Sequence, residues 1–178
     1  MPILWIVVTL LVLLVLFVVL QPAEFTITRT CSFRATREVL FAQINDLDHW
    51  QAWSPWAKLD PNAKNTFEGP RSGVGAAMGW SGNNAVGEGR MEITESRHHD
   101  RIRFRLDFIR PMKATHRTEF TFDVSGDQTT VTWTMSGRNN FMGKAFGLVM
   151  DCDKMVGGQF ENGFSNLRPI VEAAEARS

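Results

Sequence analysis

The sequence has no tyrosine among its 178 residues, only two cysteines, and no net charge. Each shortage excludes something. Without a phenol, a common catalytic acid and orienting donor is missing. Cys31 and Cys152 form neither a CxxC pair nor a metal-ligand spacing. They read as small interior residues, and a disulfide between them stays open. Nineteen Lys and Arg balance nineteen Asp and Glu. A chain without clustered excess cation has no general attraction to phosphate backbones, so nucleic acid is not an expected partner.

Catalytic signatures are missing too. The chain contains no GxSxG, no P-loop and no HExxH. Gly73-Val-Gly75 is not followed by the helix that a phosphate-binding glycine loop needs. The four histidines are His49, His98, His99 and His116. His98-His99 precedes Asp100 in an expected hairpin loop. A metal site needs three or four converging ligands, so none is expected, and no cofactor is implied.

What the chain does have is a long apolar start. Ile3 to Leu20 is uncharged and broken only by Thr9. Roughly 18 or more such residues can cross the ~30 Å hydrocarbon core as a helix. The competing reading is a cleaved signal peptide, which wants a basic n-region, a shorter core and a small-x-small cleavage site. No Lys or Arg precedes this run, and Leu20-Gln21-Pro22-Ala23 is a poor site. The division expected is therefore a membrane-spanning helix over 1–22 and a domain over 23–178. Arg29, Arg34 and Arg37 follow the run, and positive flanks favour the cytoplasmic side.

Beyond the anchor the pattern is mostly β. Phe25 to Phe33 alternates, with Phe25, Ile27, Cys31 and Phe33 on one side and threonines or serine on the other, as a half-buried strand does. Thr36 is placed to cap a helix over Arg37–Asn45. A second helical turn is expected over His49–Trp56, where Pro55 ends it. Strands are then expected at Thr66–Glu68, Gly75–Ser81, Val86–Glu95, Arg101–Ile109, Thr115–Val124 and Thr129–Gly137. Gly87 and Gly89 mark a bend or bulge in the third of these. Near Phe141 the period becomes helical. A short segment at Lys144–Met150 and one long helix over Asp153–Ala176 are expected. Short turns imply antiparallel pairing, and the long helix must cover the sheet's apolar face.

This order, with its local motifs, resembles the START-like or helix-grip superfamily, in particular its polyketide cyclase/dehydrase branch. The matching stretches are Trp53-Ser-Pro-Trp56, Gly73-x-Gly75 leading to Trp80, and Val86-Gly-x-Gly89 before Met91. Thr132-Trp133 and Phe160-x-x-Gly163-Phe164-x-x-Leu167 complete them. The resemblance implies an α+β helix-grip fold, a curved antiparallel β-sheet wrapped around a long C-terminal α-helix. It also implies a cavity between the two for a lipid, sterol, polyketide or similar apolar ligand.

The candidate cavity residues are Trp53, Trp56, Trp80, Met91, Phe104 and Phe108, then Phe120, Trp133, Met135, Met155 and Phe160. Apolar pockets are built this way, but so are plain cores. Two residues are candidates for chemistry. Glu88, between Gly87 and Gly89, would have a raised pKa in an apolar pocket; the alternative is a bulge that turns it to water, since carboxylates are rarely buried unpaired. His116 stands behind it. Three functions compete: a membrane-anchored carrier or sensor of a hydrophobic small molecule or lipid, a protein-interaction module without ligand, and a cyclase- or dehydratase-like enzyme. Oligomeric state is not readable.

Overall fold

The computed structural model describes residues 2–176. Met1 and positions 177 and 178, the outer limits of the two segments expected from sequence, lie outside the described residues. Helix α1 spans Pro2–Leu20. It is long and apolar enough to cross a membrane, and only Val18 of its residues is buried. Strand β1 (Glu24–Phe33) follows, then α2 (Arg37–Asn45), α3 (Leu47–Trp53) and a 3-10 turn at Trp56–Lys58. Six strands come next: β2 (Lys64–Glu68), β3 (Ala77–Ser81), β4 (Glu88–Arg97), β5 (Arg101–Arg110), β6 (Ala114–Ser125) and β7 (Gln128–Arg138). Helices α4 (Phe141–Val149) and α5 (Cys152–Glu175) close the chain.

The seven strands form one antiparallel sheet in the order β1-β7-β6-β5-β4-β3-β2. The first strand thus pairs with the last, and each other strand pairs with its sequence neighbour. Period two decides which face each side chain takes. In β5, Ile102 and Phe104 are buried, whereas Arg101, Arg103 and Arg105 lie on the outer face among Glu95, Asp107 and Glu119. The β4–β5 pairing shifts register at Glu88/Gly89 and again at Ile93/Glu95. Gly87 has φ +71°, and a Cβ there would stand 2.4 Å from the Arg110 carbonyl oxygen. Only glycine makes that turn.

Helix α5 lies across the inner face, chiefly over β1. Phe160, Phe164, Leu167 and Val171 form its buried stripe. Arg29 fixes its near end. The alternation of β1 puts this cation on the inner side, where its Nε donates to Glu161 Oε1 at 2.8 Å and its Nη2 to Asp153 Oδ2 at 2.8 Å. Gly157 makes room for it, since a Cβ there would lie 2.2 Å from Nη2. At the far end, Thr36 donates its amide and its hydroxyl to Glu175 Oε2, at 2.8 and 3.0 Å. Thr36 does sit at the N-cap of α2, but its side chain ties down α5 rather than capping its own helix.

Three local features differ from the periodicity. The second helix starts at Leu47, because Asp46 Oδ1 accepts the Asp48 amide and caps it, and Pro55 then opens the separate 3-10 turn. Helix α4 starts at Phe141 instead of Lys144, because Asn140 Oδ1 accepts the Gly143 amide. Cys31 and Cys152 are both free thiols, half-buried and unpaired with each other.

Candidate functional site

The sheet and α5 leave a cavity of about 280 Å³ between them. Its floor comes from the inward alternation of the central strands: Met78 and Trp80 of β3, Met91 of β4, and Phe104, Leu106 and Phe108 of β5. Thr118 of β6 and Met135 of β7 continue it. Val156 and Phe160 of α5 form the roof. Trp50, Gln51, Ser54 and Trp56 close the side facing α3.

One aromatic group joins these layers. The indole of Trp133 stacks on Phe160, with centroids 4.1 Å apart and planes 7° from parallel. Trp50, Trp53 and Trp56 meet it edge-on at 6.0, 5.8 and 5.9 Å. Gly163 lets the indole approach α5, since a Cβ there would lie 2.9 Å from Trp133 Cζ3. On the opposite wall, Gly89 lets Trp80 lie flat on the strand, and Trp80 Nε1 donates to the Val86 carbonyl at 3.3 Å. Rigid packing of this kind holds the cavity open, because the rings cannot fold inward without losing their own contacts.

Polar groups on the lining are few. Gln51 Oε1 accepts from Asn65 Nδ2 at 3.1 Å, and Ser54 and Thr118 are buried. Asp60 is the one carboxylate of the lining. Its oxygens accept the amides of Asn62 (3.0 Å) and Asn83 (2.7 Å), which commits them to holding a turn.

Of the residues singled out in the sequence, Trp56, Trp80, Met91 and Phe104 border this space, as do Phe108, Trp133, Met135 and Phe160. Trp53 and Phe120 do not; both are fully buried in the packed core. Met155 points outward and is 46% exposed, because it sits one residue off the stripe that Val156 and Phe160 define. Trp50, Met78, Leu106 and Val156 line the cavity without having been singled out. The signal for Leu106 was present, since it alternates with Phe104 and Phe108. Trp50 lies one helical turn before Trp53 and shares its face.

The two candidates for chemistry stand elsewhere. In β4, Gly89, Met91 and Ile93 are buried, which leaves Glu88 on the outer face beside Arg90 and Glu92. Arg110 Nε donates to Glu88 Oε2 at 2.9 Å. His116 lies on the inner face near the start of β6, between Phe25 (4.9 Å) and Phe108 (5.4 Å) and over Gly137. Its Nδ1 is buried without a hydrogen-bond partner, and burial pushes its pKa below the ordinary value. It borders a separate polar hollow with Glu24, Arg117 and Arg138. Among the described residues, no three His, Cys, Asp or Glu side chains come together as a metal site would need.

Residues 24–172 match the family model for polyketide cyclase / dehydrase and lipid transport. The chain belongs to this family. No curated protein matches the sequence. Solved structures with the same fold include a Chromobacterium violaceum protein, CV1439, at 14% identity and TM-score 0.61, covering 83% of this chain and 96% of that one. The ginseng major latex-like protein 151 of Panax ginseng aligns at 12% identity and TM-score 0.59, over 84% and 98% of the two chains. The Aha1 dimer of Colwellia psychrerythraea aligns at 15% identity and TM-score 0.59, over 83% and 96%. At these identities the likeness concerns the fold. Family and fold are of a type typical of hydrophobic small-molecule binding.

Proposed function

We propose that this protein binds a compact apolar molecule in the cavity under α5 and does so at a membrane, as an anchored carrier or sensor. The observation that carries the proposal is the cavity itself, about 280 Å³ with an aromatic and thioether lining. Small-molecule sites run from roughly 300 to 1,000 Å³. A volume at the lower edge of that range suits a single ring system or a short acyl chain better than a whole two-chain lipid.

The mechanism is physical rather than chemical. An apolar solute gains roughly 25 cal/mol for each Å² removed from water. The indole and phenyl faces of Trp133, Phe160, Trp80 and Phe108 offer that burial. Gln51, Ser54 and Thr118 could orient one polar group of the ligand. Residues 1–22 serve as the anchor and 23–178 as the binding domain. Such ligands partition into bilayers, so a tether there raises the local concentration of ligand. Arg29, Arg34 and Arg37 after the apolar run favour a cytoplasmic domain.

Native mass spectrometry of the full chain, extracted from membranes in mild detergent, tests the reading. The expected spectrum shows a discrete small adduct that organic solvent removes. Bare protein in every preparation, with no uptake of an added short-chain alcohol or a single-ring aromatic, would count decisively against it. An enzymatic reading lacks a comparable observation, because Glu88 and His116 both stand off the cavity lining.

A further inference from the structure

Helix α4 is packed unlike every other helix of the domain. Its sequence is Phe-Met-Gly-Lys-Ala-Phe-Gly-Leu-Val, and none of its residues is buried. Phe141, Met142, Phe146, Leu148 and Val149 are all exposed, Val149 at 84%, and Met150 continues the patch. There is no carboxylate between positions 141 and 150. A globular domain that leaves so contiguous an apolar surface in water uses it for contact.

The contact is specified by what α4 touches. Lys144, its single charge, turns back and donates from Nζ to the Val19 carbonyl at 2.7 Å. Val19 belongs to the last turn of α1, where backbone carbonyls lack helical partners. Gln21 serves the neighbouring ones, its amide meeting Val18 O and its side chain Phe17 O. The chain just below is bound as well, since the Asn139 amide donates to Ala23 O at 2.7 Å. The C-terminal end of α1 and the start of α4 therefore lie at the same level.

The sheet places other apolar groups at this end. Glu24 pairs with Arg138 and His116 with Gly137, so the β5–β6 hairpin extends past the start of β1. Its exposed residues include Ile109, Met112 and Lys113. The opposite end, at the β6–β7 turn, carries the exposed Val124.

We infer that α4 lies in the headgroup region of the bilayer that α1 enters, with its apolar face turned into the lipid. The inference rests on α1 remaining attached as the anchor. Given that, the Lys144–Val19 contact leaves α4 no other level to occupy. Helices of this kind bury their apolar side roughly 5–10 Å into the interface. Because α4 links the strand of Met135 to the helix of Val156, the joint between two cavity walls would then rest on the membrane.

The test uses the full chain with Cys31→Ala and Cys152→Ala, reconstituted into vesicles of phosphatidylcholine and phosphatidylglycerol. A nitroxide is attached at Val149→Cys or, as the reference, at Val124→Cys; both positions are exposed, so neither label disturbs the core. Collision rates with oxygen and with a water-soluble nickel complex are measured by paramagnetic resonance. The expected result at position 149 is a nickel collision rate several-fold below that at position 124, with a higher oxygen rate. Equal nickel access at both positions overturns the proposal. So does dipolar broadening at position 149 that disappears on dilution with unlabelled chain, which would show a second copy covering α4. The adduct in the native mass spectrum is independent of this outcome, so a failure of α4 to enter lipid is distinguishable from a failure of the cavity to hold a ligand.

Discussion

Trp133 lies flat on Phe160, 4.1 Å between ring centroids, and this stack helps join the last strand to the long helix at the back of the cavity. Both residues are almost wholly buried, yet both border empty space. They are at once core and wall, which lets mutations separate stability from ligand capacity.

Phe160→Ala removes one half of the stack. Truncating a buried phenylalanine costs about 3–5 kcal/mol, and here the low end, about 3 kcal/mol, is expected because one side of the ring already faces a void. Chemical unfolding of the full chain in mild detergent gives the value. The enlarged space should also admit a longer alkyl alcohol than the native protein retains, read as the mass of the bound adduct.

Gly89→Ala should be destabilising although it adds only a methyl group. The new Cβ would stand 2.5 Å from Trp80 Cζ2 and 2.6 Å from the Asp107 carbonyl oxygen. The indole could swing away, but the backbone carbonyl is held in the β4–β5 ladder. Overpacking of this kind costs about 1–3 kcal/mol. The summed tryptophan fluorescence should change in the same variant, since the Trp80 ring must leave the strand.

His116 predicts an acid-sensitive component of stability. Burial lowers its folded-state pKa below the ordinary 6.5. The unfolded chain therefore takes up a proton at a higher pH than the folded one does. As pH falls below about 6.5 the unfolded state is favoured, and the loss levels off below the folded pKa. His116→Phe keeps a ring between Phe25 and Phe108 and removes the titrating group. Melting temperature plotted against pH should fall less steeply below 6.5 in this variant than in the native chain; parallel curves would exclude the histidine as a source.

Much of the architecture was legible in the sequence because period two is a local property. Arg101 to Phe108 alternates without a break, and it lies in a strand with Ile102 and Phe104 inside. The helix over Arg37–Asn45 was also readable from its spacing. Wall membership was less so. Alternation shows that Phe120 points inward, but whether an inward residue meets packing or space depends on the distance between layers, set by residues far away in sequence. Phe120 is covered by Trp50, Trp53 and Trp133 and so reaches no space. Met155 failed for a different reason: on a helix one residue is about 100° of rotation, enough to move it from the roof into solvent. The exposure of α4 was not readable at all, because an apolar run looks the same whether it enters a core or leaves it.

The most direct test of the hollow interior is photolabelling with a small alkyl diazirine, added to the full chain in phosphatidylcholine nanodiscs. Leu106→Trp, which fills the space from the β5 side, is the comparison. The account predicts saturable labelling of peptides carrying Met91 and Phe104 in the native chain. That labelling should be lost in Leu106→Trp, while labelling of α1, in contact with lipid, is equal in both. Peptides of β4 and β5 that remain unlabelled in the native chain, or label equally in the variant, would contradict it.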